Sequence, residues 1–277
     1  MANDLATAYG FESIPAAVIL AIIYFPLFLW FIRQSIKNTT YVYISLTVFC
    51  LMRVVAFALR AILITSTSLG NNTNVLIAAE VMFGVGFFAL LYSAFTLVLD
   101  STDNLLLREI ASGATTVQYL PLKIMRDRRL FRVVLIIGVG LGVVGITDAT
   151  SSNPQKAADS VNTRRASAIL FLVLTVIQAL QTVLALNQRR MSSSNTRRFG
   201  DRHGKYILCL ISVFLLVRET FQVVTIVGDA AKQNDERLWY PFVALPELLA
   251  VACYSVSGLV PTRAELKKQT EFESIQG

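Results

Sequence analysis

Charged side chains interrupt several apolar stretches of this sequence, at positions that a membrane-crossing helix would carry into the bilayer. Arg218 and Glu219 stand side by side at the middle of the apolar stretch 208–227, and Gln222 follows one turn later. A charged residue at mid-bilayer costs about 2.5–3.5 kcal/mol on insertion, so such residues are expected to pair with one another. Other apolar stretches offer the partners Arg53, Arg60, Glu80 and Glu247. These seven residues are the candidate site, either as a ligand-binding pocket or as a buried ion-pair cluster.

Two interpretations of the candidate site remain open at this point, because three arginines balance three glutamates within it. Ion pairs alone could fix the register of the helices, whereas intramembrane ionisable groups are usually functional. The leading functional hypothesis is a receptor-like protein that binds a small amphiphilic or lipid-like ligand. One alternative is a transporter or translocator of such molecules. The other is a membrane-embedded enzyme in which Glu219 or Glu247 acts as a general acid on a lipid-like substrate.

Several common chemistries are disfavoured by the residue types present. His203 is the one histidine, which argues against histidine-based triads and histidine metal clusters. The glycines of 140–145 match a dinucleotide fingerprint, but they lie inside an apolar stretch with no βαβ unit around them. Gly138 and Gly142 are better explained as a close contact between two helices. We therefore expect no cofactor and no metal, and we assign no residue as catalytic.

The elements that must position these residues are membrane-spanning helices. The chain is 55% hydrophobic and 16% charged, with a mean hydropathy of +0.59, and its apolar residues come in stretches of about 20. That length is what an α-helix needs to cross roughly 30 Å of hydrocarbon. The sequence predicts an all-α bundle of seven transmembrane helices. The predicted spans are 14–32, 43–65, 76–99, 130–147, 166–187, 208–227 and 240–260.

The distribution of basic residues predicts the orientation of the bundle. Seventeen lysines and arginines, counting Arg132 at the start of span four, fall in or beside the loops after spans one, three and five and in the C-terminal segment, against five on the opposite side. The positive-inside rule then places the N-terminus outside and the C-terminus in the cytosol, which agrees with seven spans. The net charge of +7 is thereby explained without nucleic acid. We expect one domain, 1–265, followed by a short cytosolic tail, 266–277, in the plasma membrane or an endomembrane.

The same orientation places the charges in the outer half and the middle of the bilayer, which predicts a polar pocket that faces outward. One hypothesis to be tested is that Arg60 pairs with Glu80 or Glu247. The basic cytosolic loops could contact anionic lipid or a partner protein. The segment 105–125 mixes apolar and basic residues, and it is expected to be either a helix on the membrane surface or a solvated loop.

The pattern as a whole resembles a fungal family of seven-span membrane proteins whose function is not established. The resemblance covers most of the chain but is diffuse. Its features are Arg53 and Arg60 in span two, Glu80 followed by Gly84-x-Gly86-Phe87-Phe88 in span three, Arg218-Glu219 in span six and Pro246-Glu247 in span seven. A more distant similarity is to fungal lipid-translocating, stress-response membrane proteins. That similarity implies the handling of lipids or amphiphiles, or resistance to toxic compounds.

Overall fold

All regular structure in the described part of the chain is helical. The computed structural model describes residues 9–11, 13–66, 72–111, 127–151, 153–187, 199–226 and 235–262. The helices are α1 (Ile14–Lys37), α2 (Tyr41–Thr65), α3 (Thr73–Ala111), α4 (Arg128–Ala149), α5 (Pro154–Asn187), α6 (Phe199–Thr225), α7 (Glu236–Trp239), the π-helix π1 (Tyr240–Ala244) and α8 (Leu245–Tyr254). The tail 266–277 and the segment 112–126 lie outside the described residues.

Six of these helices, α1 to α6, are long and apolar enough to cross a membrane within the described ranges. Their large apolar side chains face outward in numbers that water would not tolerate, as shown by Ile19, Ile22 and Phe25 of α1, each more than half exposed. α1 buries Ala17, Tyr24 and Phe31 at intervals of seven residues. One narrow stripe of α1 therefore packs on the bundle, and the rest of its surface suits lipid.

α3 is the central helix of the bundle, because it packs against α2, α4, α5 and α6. Its residues 89–99 are buried without interruption, as expected of a helix that is apolar all round. α4 packs along α5, where Gly138 faces Leu170 and Phe171, and Gly142 faces Ser167. The predicted close helix contact at Gly138 and Gly142 is thus confirmed.

Several helix boundaries differ from the predicted spans; α6, for example, begins at Phe199 and not at 208. α3 continues to Ala111, so the first part of the predicted loop 100–129 is helical. α5 begins at Pro154, before the predicted start at 166, because residues that favour a helix precede its apolar part. The last span was predicted to run to 260, but the helix ends at Tyr254 and the chain turns at Gly258, whose φ of 89° suits glycine. Hydropathy marks the lipid-facing length of a helix and not its ends.

The C-terminal helical stretch, 236–254, contains α7, π1 and α8 in one unbroken run and packs against α6. Its middle has a wider π turn, in which the Leu245 N–H bonds to the Tyr240 carbonyl five residues earlier. Pro246 follows at once and has no N–H to donate. The π turn therefore lies directly before the segment that carries Pro246 and Glu247.

Candidate functional site

Glu247 lies at the centre of four charged side chains that we call the ion cluster: Arg53, Arg218, Glu219 and Glu247. Its Oε1 accepts a hydrogen bond from Arg53 Nη2 at 2.6 Å and another from Arg218 Nε at 3.1 Å. Helices α2, α6 and α8 are therefore joined at one carboxylate oxygen. All four side chains are buried, with exposed fractions between 0% for Arg53 and 5% for Arg218.

The charges of the ion cluster balance within it. Arg218 also forms an ion pair with its neighbour Glu219, so two guanidinium groups face two carboxylates. Arg53 donates a further hydrogen bond, from Nη1 to the Phe83 carbonyl of α3 at 3.0 Å. Buried charges are tolerated when they are paired and hydrogen-bonded in this way. The pairing predicted from charge balance is present for these four residues.

Aromatic rings contact the two guanidinium groups, and one glycine leaves space for Arg53. The Arg218 guanidinium lies 3.9 Å from the centre of the Phe87 ring, and that of Arg53 lies 4.8 Å from Phe49. Such contacts stabilise a desolvated cation. A Cβ atom on Gly86 would lie 3.2 Å from Arg53 Nη1, so the missing side chain at this position leaves the space that Arg53 fills.

Arg60 does not join the ion cluster, and its predicted pairing with Glu80 or Glu247 is wrong. Its Nη2 pairs with Glu236 Oε1 at 3.3 Å, and its guanidinium lies 4.2 Å from Phe11 and 4.4 Å from Trp239. Glu236 precedes the predicted last span and was not among the candidates. We call this group, together with Tyr240, the Arg60 clasp.

The Arg60 clasp ties the N-terminal segment to the start of the C-terminal helical stretch. The Ser13 N–H, at the beginning of α1, donates to Glu236 Oε2 at 2.7 Å. The end of α2, which carries Arg60, meets the beginnings of α1 and α7 there. We call this end of the bundle the N-terminal face.

A cavity of about 110 Å³ opens between α3, α4, α5, α6 and the C-terminal helical stretch. We call it the central cavity. Its polar lining comprises Glu80, Arg164, Ser167, Arg218, Glu219 and Gln222. The rings of Phe83, Phe87, Phe171 and Trp239 form much of its apolar wall. Four of the seven candidate residues line the central cavity: Glu80, Arg218, Glu219 and Gln222. Glu247 pairs with Arg218, and Arg53 pairs with Glu247.

The central cavity lies toward the N-terminal face. Its wall includes Glu80 in the early part of α3, Ile146 at the end of α4 and Ile226 after α6, which are the ends of these helices nearest that face. Next to it, a smaller hollow is lined by Glu80, Arg164 and Tyr9. Burial raises the pKa of Tyr9 above its usual value of 10.0, and the Glu80 carboxylate acts in the same direction.

Glu80 has a different environment from the other glutamates of the site. It is partly exposed to the central cavity, and no ion pair joins it to any Lys or Arg of the described residues. Arg164 lines the same cavity, and its charge attracts the Glu80 carboxylate. Arg164 was assigned to a loop from the sequence, and only its place in the extended α5 brings it here.

No three His, Cys, Asp or Glu side chains of the described ranges come together as a metal site would require. Six helices in the part of the chain that the structure describes are long and apolar enough to cross a membrane, which identifies an integral multi-pass membrane protein. No curated protein and no solved structure matches this chain. A family described as a domain of unknown function, DUF7702, matches residues 14–263 of the 277. The chain belongs to this DUF7702 family, which is defined without an assigned function.

Proposed function

We propose that this protein is receptor-like and binds a small amphiphilic or lipid-like ligand in the central cavity. The observation that carries the proposal is the composition of the cavity wall, which combines carboxylates and guanidinium groups with aromatic and aliphatic side chains. Ligand sites combine a mostly apolar lining with a few polar groups that orient the ligand. A structural ion cluster alone would need no accessible space next to it.

The size of the central cavity limits what can enter. Its volume of about 110 Å³ is several times the ~10–15 Å³ that one water molecule needs, but it is below the ~300–1,000 Å³ of sites that enclose a whole drug-sized molecule. A headgroup with the first part of an alkyl chain fits this volume. The rest of the chain would extend between the helices toward lipid.

We further propose that the C-terminal helical stretch is a seventh span and that the N-terminal face is extracellular. At about 1.5 Å per residue, the run 236–254 is close to 28 Å long, which nearly matches the hydrocarbon thickness. The excess of basic residues on the opposite side supports this orientation. The central cavity would then open toward the outer half of the bilayer.

Two glycines give a matched test of ligand binding. A Cβ atom at Gly84 or at Gly140 would meet no atom within 4 Å, but Gly84 lines the central cavity whereas Gly140 faces outward from α4. Gly84→Leu should fill the cavity without disturbing the fold, and Gly140→Leu should place the same side chain in lipid. Trp239 lines the cavity and reports on it once the other tryptophan is removed by Trp30→Phe.

The experiment titrates the reconstituted Trp30→Phe protein with dodecylamine, dodecanol and dodecanoate. We expect at least one of them to change Trp239 emission saturably and to raise the thermal unfolding temperature, since a ligand that binds the folded state stabilises it. Gly84→Leu should abolish both effects and Gly140→Leu should retain them. Identical responses of the two variants would contradict the proposal. Movement of the bound probe across proteoliposomes, beyond that of protein-free vesicles, would favour the transporter alternative.

A further inference from the structure

The charges that line the central cavity are not equally available to a ligand. Arg218 and Glu219 pair with each other, and Arg218 also pairs with Glu247. Glu247 is in turn held by Arg53. The four charges of the ion cluster therefore neutralise one another, and a ligand would have to break a buried pair in order to use any of them.

Glu80 is the carboxylate of the cavity wall that lies outside this arrangement. Arg60, the cation expected beside it, is held by Glu236 and enclosed by Phe11 and Trp239. Arg164 acts on the Glu80 carboxylate as a nearby charge, and it has a partner of its own. A carboxylate in a low-dielectric site without a paired cation gains more from a ligand cation than a carboxylate already paired would gain.

We propose that the ligand of the central cavity carries an ammonium group on an alkyl chain, and that this group pairs with Glu80. This inference rests on the proposed function, because it assigns a chemical class to the molecule bound there. The class is a long-chain amine rather than an alcohol or a fatty acid.

The surroundings of Glu80 agree with that class. Val81, Val85 and Ile146 line the cavity beside it, and Gly84 leaves open space one turn further along α3. An alkyl chain can lie against these aliphatic groups while its ammonium reaches the carboxylate. A hydroxyl group could donate a hydrogen bond to the carboxylate, but it carries no positive charge and would lack the Coulomb attraction of an ammonium in a low-dielectric cavity. A fatty-acid carboxylate would be repelled by the negative charge of Glu80.

Dodecylamine, dodecanol and dodecanoate share one chain length and differ only in the headgroup, so their ranking tests the inference. We expect Trp239 emission in the Trp30→Phe protein to report dodecylamine binding at least tenfold tighter than either of the others, relative to the free probe in the same vesicles. Glu80→Gln should abolish this preference, because the amide carries no charge for the ammonium to pair with. Asp159→Asn, an acidic position exposed on α5, should leave the preference intact.

The outcomes separate the inference from the proposed function. If none of the three probes distinguishes Gly84→Leu from Gly140→Leu, the cavity binds no such ligand and the proposed function fails. If Gly84→Leu blocks binding but dodecanol or dodecanoate binds as tightly as the amine, the cavity is a ligand site and the amine class is overturned. Tighter binding of dodecanoate would indicate Arg164 as the anchor. An amine preference that survives Glu80→Gln would also overturn the inference.

Discussion

Arg53 and Glu247 are 194 positions apart in the sequence, and they form a hydrogen-bonded ion pair of 2.6 Å inside the bundle. The pair joins α2 to the C-terminal helical stretch, two elements that come from opposite ends of the chain. Both side chains are buried, so neither charge can be compensated by water. Breaking such a pair from one side typically costs about 3–5 kcal/mol, whereas replacing both partners by apolar residues is often neutral.

We therefore expect Glu247→Leu to lower the thermal unfolding temperature in detergent strongly, because it leaves Arg53 without a carboxylate and removes one of the two that hold Arg218. The double variant Arg53→Met, Glu247→Leu should recover most of the loss, since Arg218 keeps Glu219. The measurement is the midpoint of heat-induced loss of the monodisperse peak in size-exclusion chromatography, with Asp159→Asn as the control. A double variant no more stable than Glu247→Leu would contradict the pairing.

Gly84 and Gly86 are two residues apart on α3, and replacing each by alanine should change the stability of the protein in opposite directions. The Cβ atom of Gly86→Ala would lie 3.2 Å from the Arg53 guanidinium, which is buried and is held by Glu247 and the Phe83 carbonyl. We expect Gly86→Ala to lower the free energy of unfolding by about 1–3 kcal/mol. Gly84→Ala meets no atom and should gain about 0.5–1 kcal/mol from the higher helix propensity of alanine. The same melting assay measures both variants. Equal shifts of the unfolding temperature would show that Arg53 does not need the space left by Gly86.

The Arg60 clasp should hold the N-terminal segment in place. Glu236→Ala removes the acceptor of both Arg60 and the Ser13 N–H, and we expect it to cost about 1–3 kcal/mol. Glu236→Gln keeps an acceptor oxygen and should therefore lower the free energy of unfolding by less. Phe11, which is 3% exposed, should become a site of chymotrypsin cleavage in Glu236→Ala earlier than in Glu236→Gln. Equal cleavage rates in the parent and both variants would show that Glu236 does not anchor this segment.

The composition of the candidate site could be predicted from the sequence more readily than its pairing. Arg53, Arg218, Glu219 and Glu247 are conspicuous because lipid-crossing stretches seldom carry charge. Which charges meet depends on the rotation and the vertical position of each helix, and hydropathy determines neither. Glu80 was predicted to share a site with Arg60, yet the rotation of α2 directs Arg60 to Glu236 instead.

Residues just beyond the apolar stretches were missed for a related reason. Glu236 and Arg164 lie in helical turns that extend past the predicted spans, where the sequence is polar and gives no hydropathy signal. The π turn at Tyr240–Ala244 has no distinctive signal of its own.

The seven-span topology predicts on which side of the membrane four positions lie. Cys50, Cys209 and Cys253 are free thiols and can be replaced to give a cysteine-free background. New cysteines at Asp159 and Asp235, on the N-terminal face, should react with a membrane-impermeant maleimide in intact cells. Cysteines at Arg129 and Thr262 should react only after permeabilisation, because α4 begins on the opposite side and the C-terminal helical stretch would end there. Labelling of Thr262 and Asp235 from the same side would show that this stretch returns without crossing, and the protein would then have six spans.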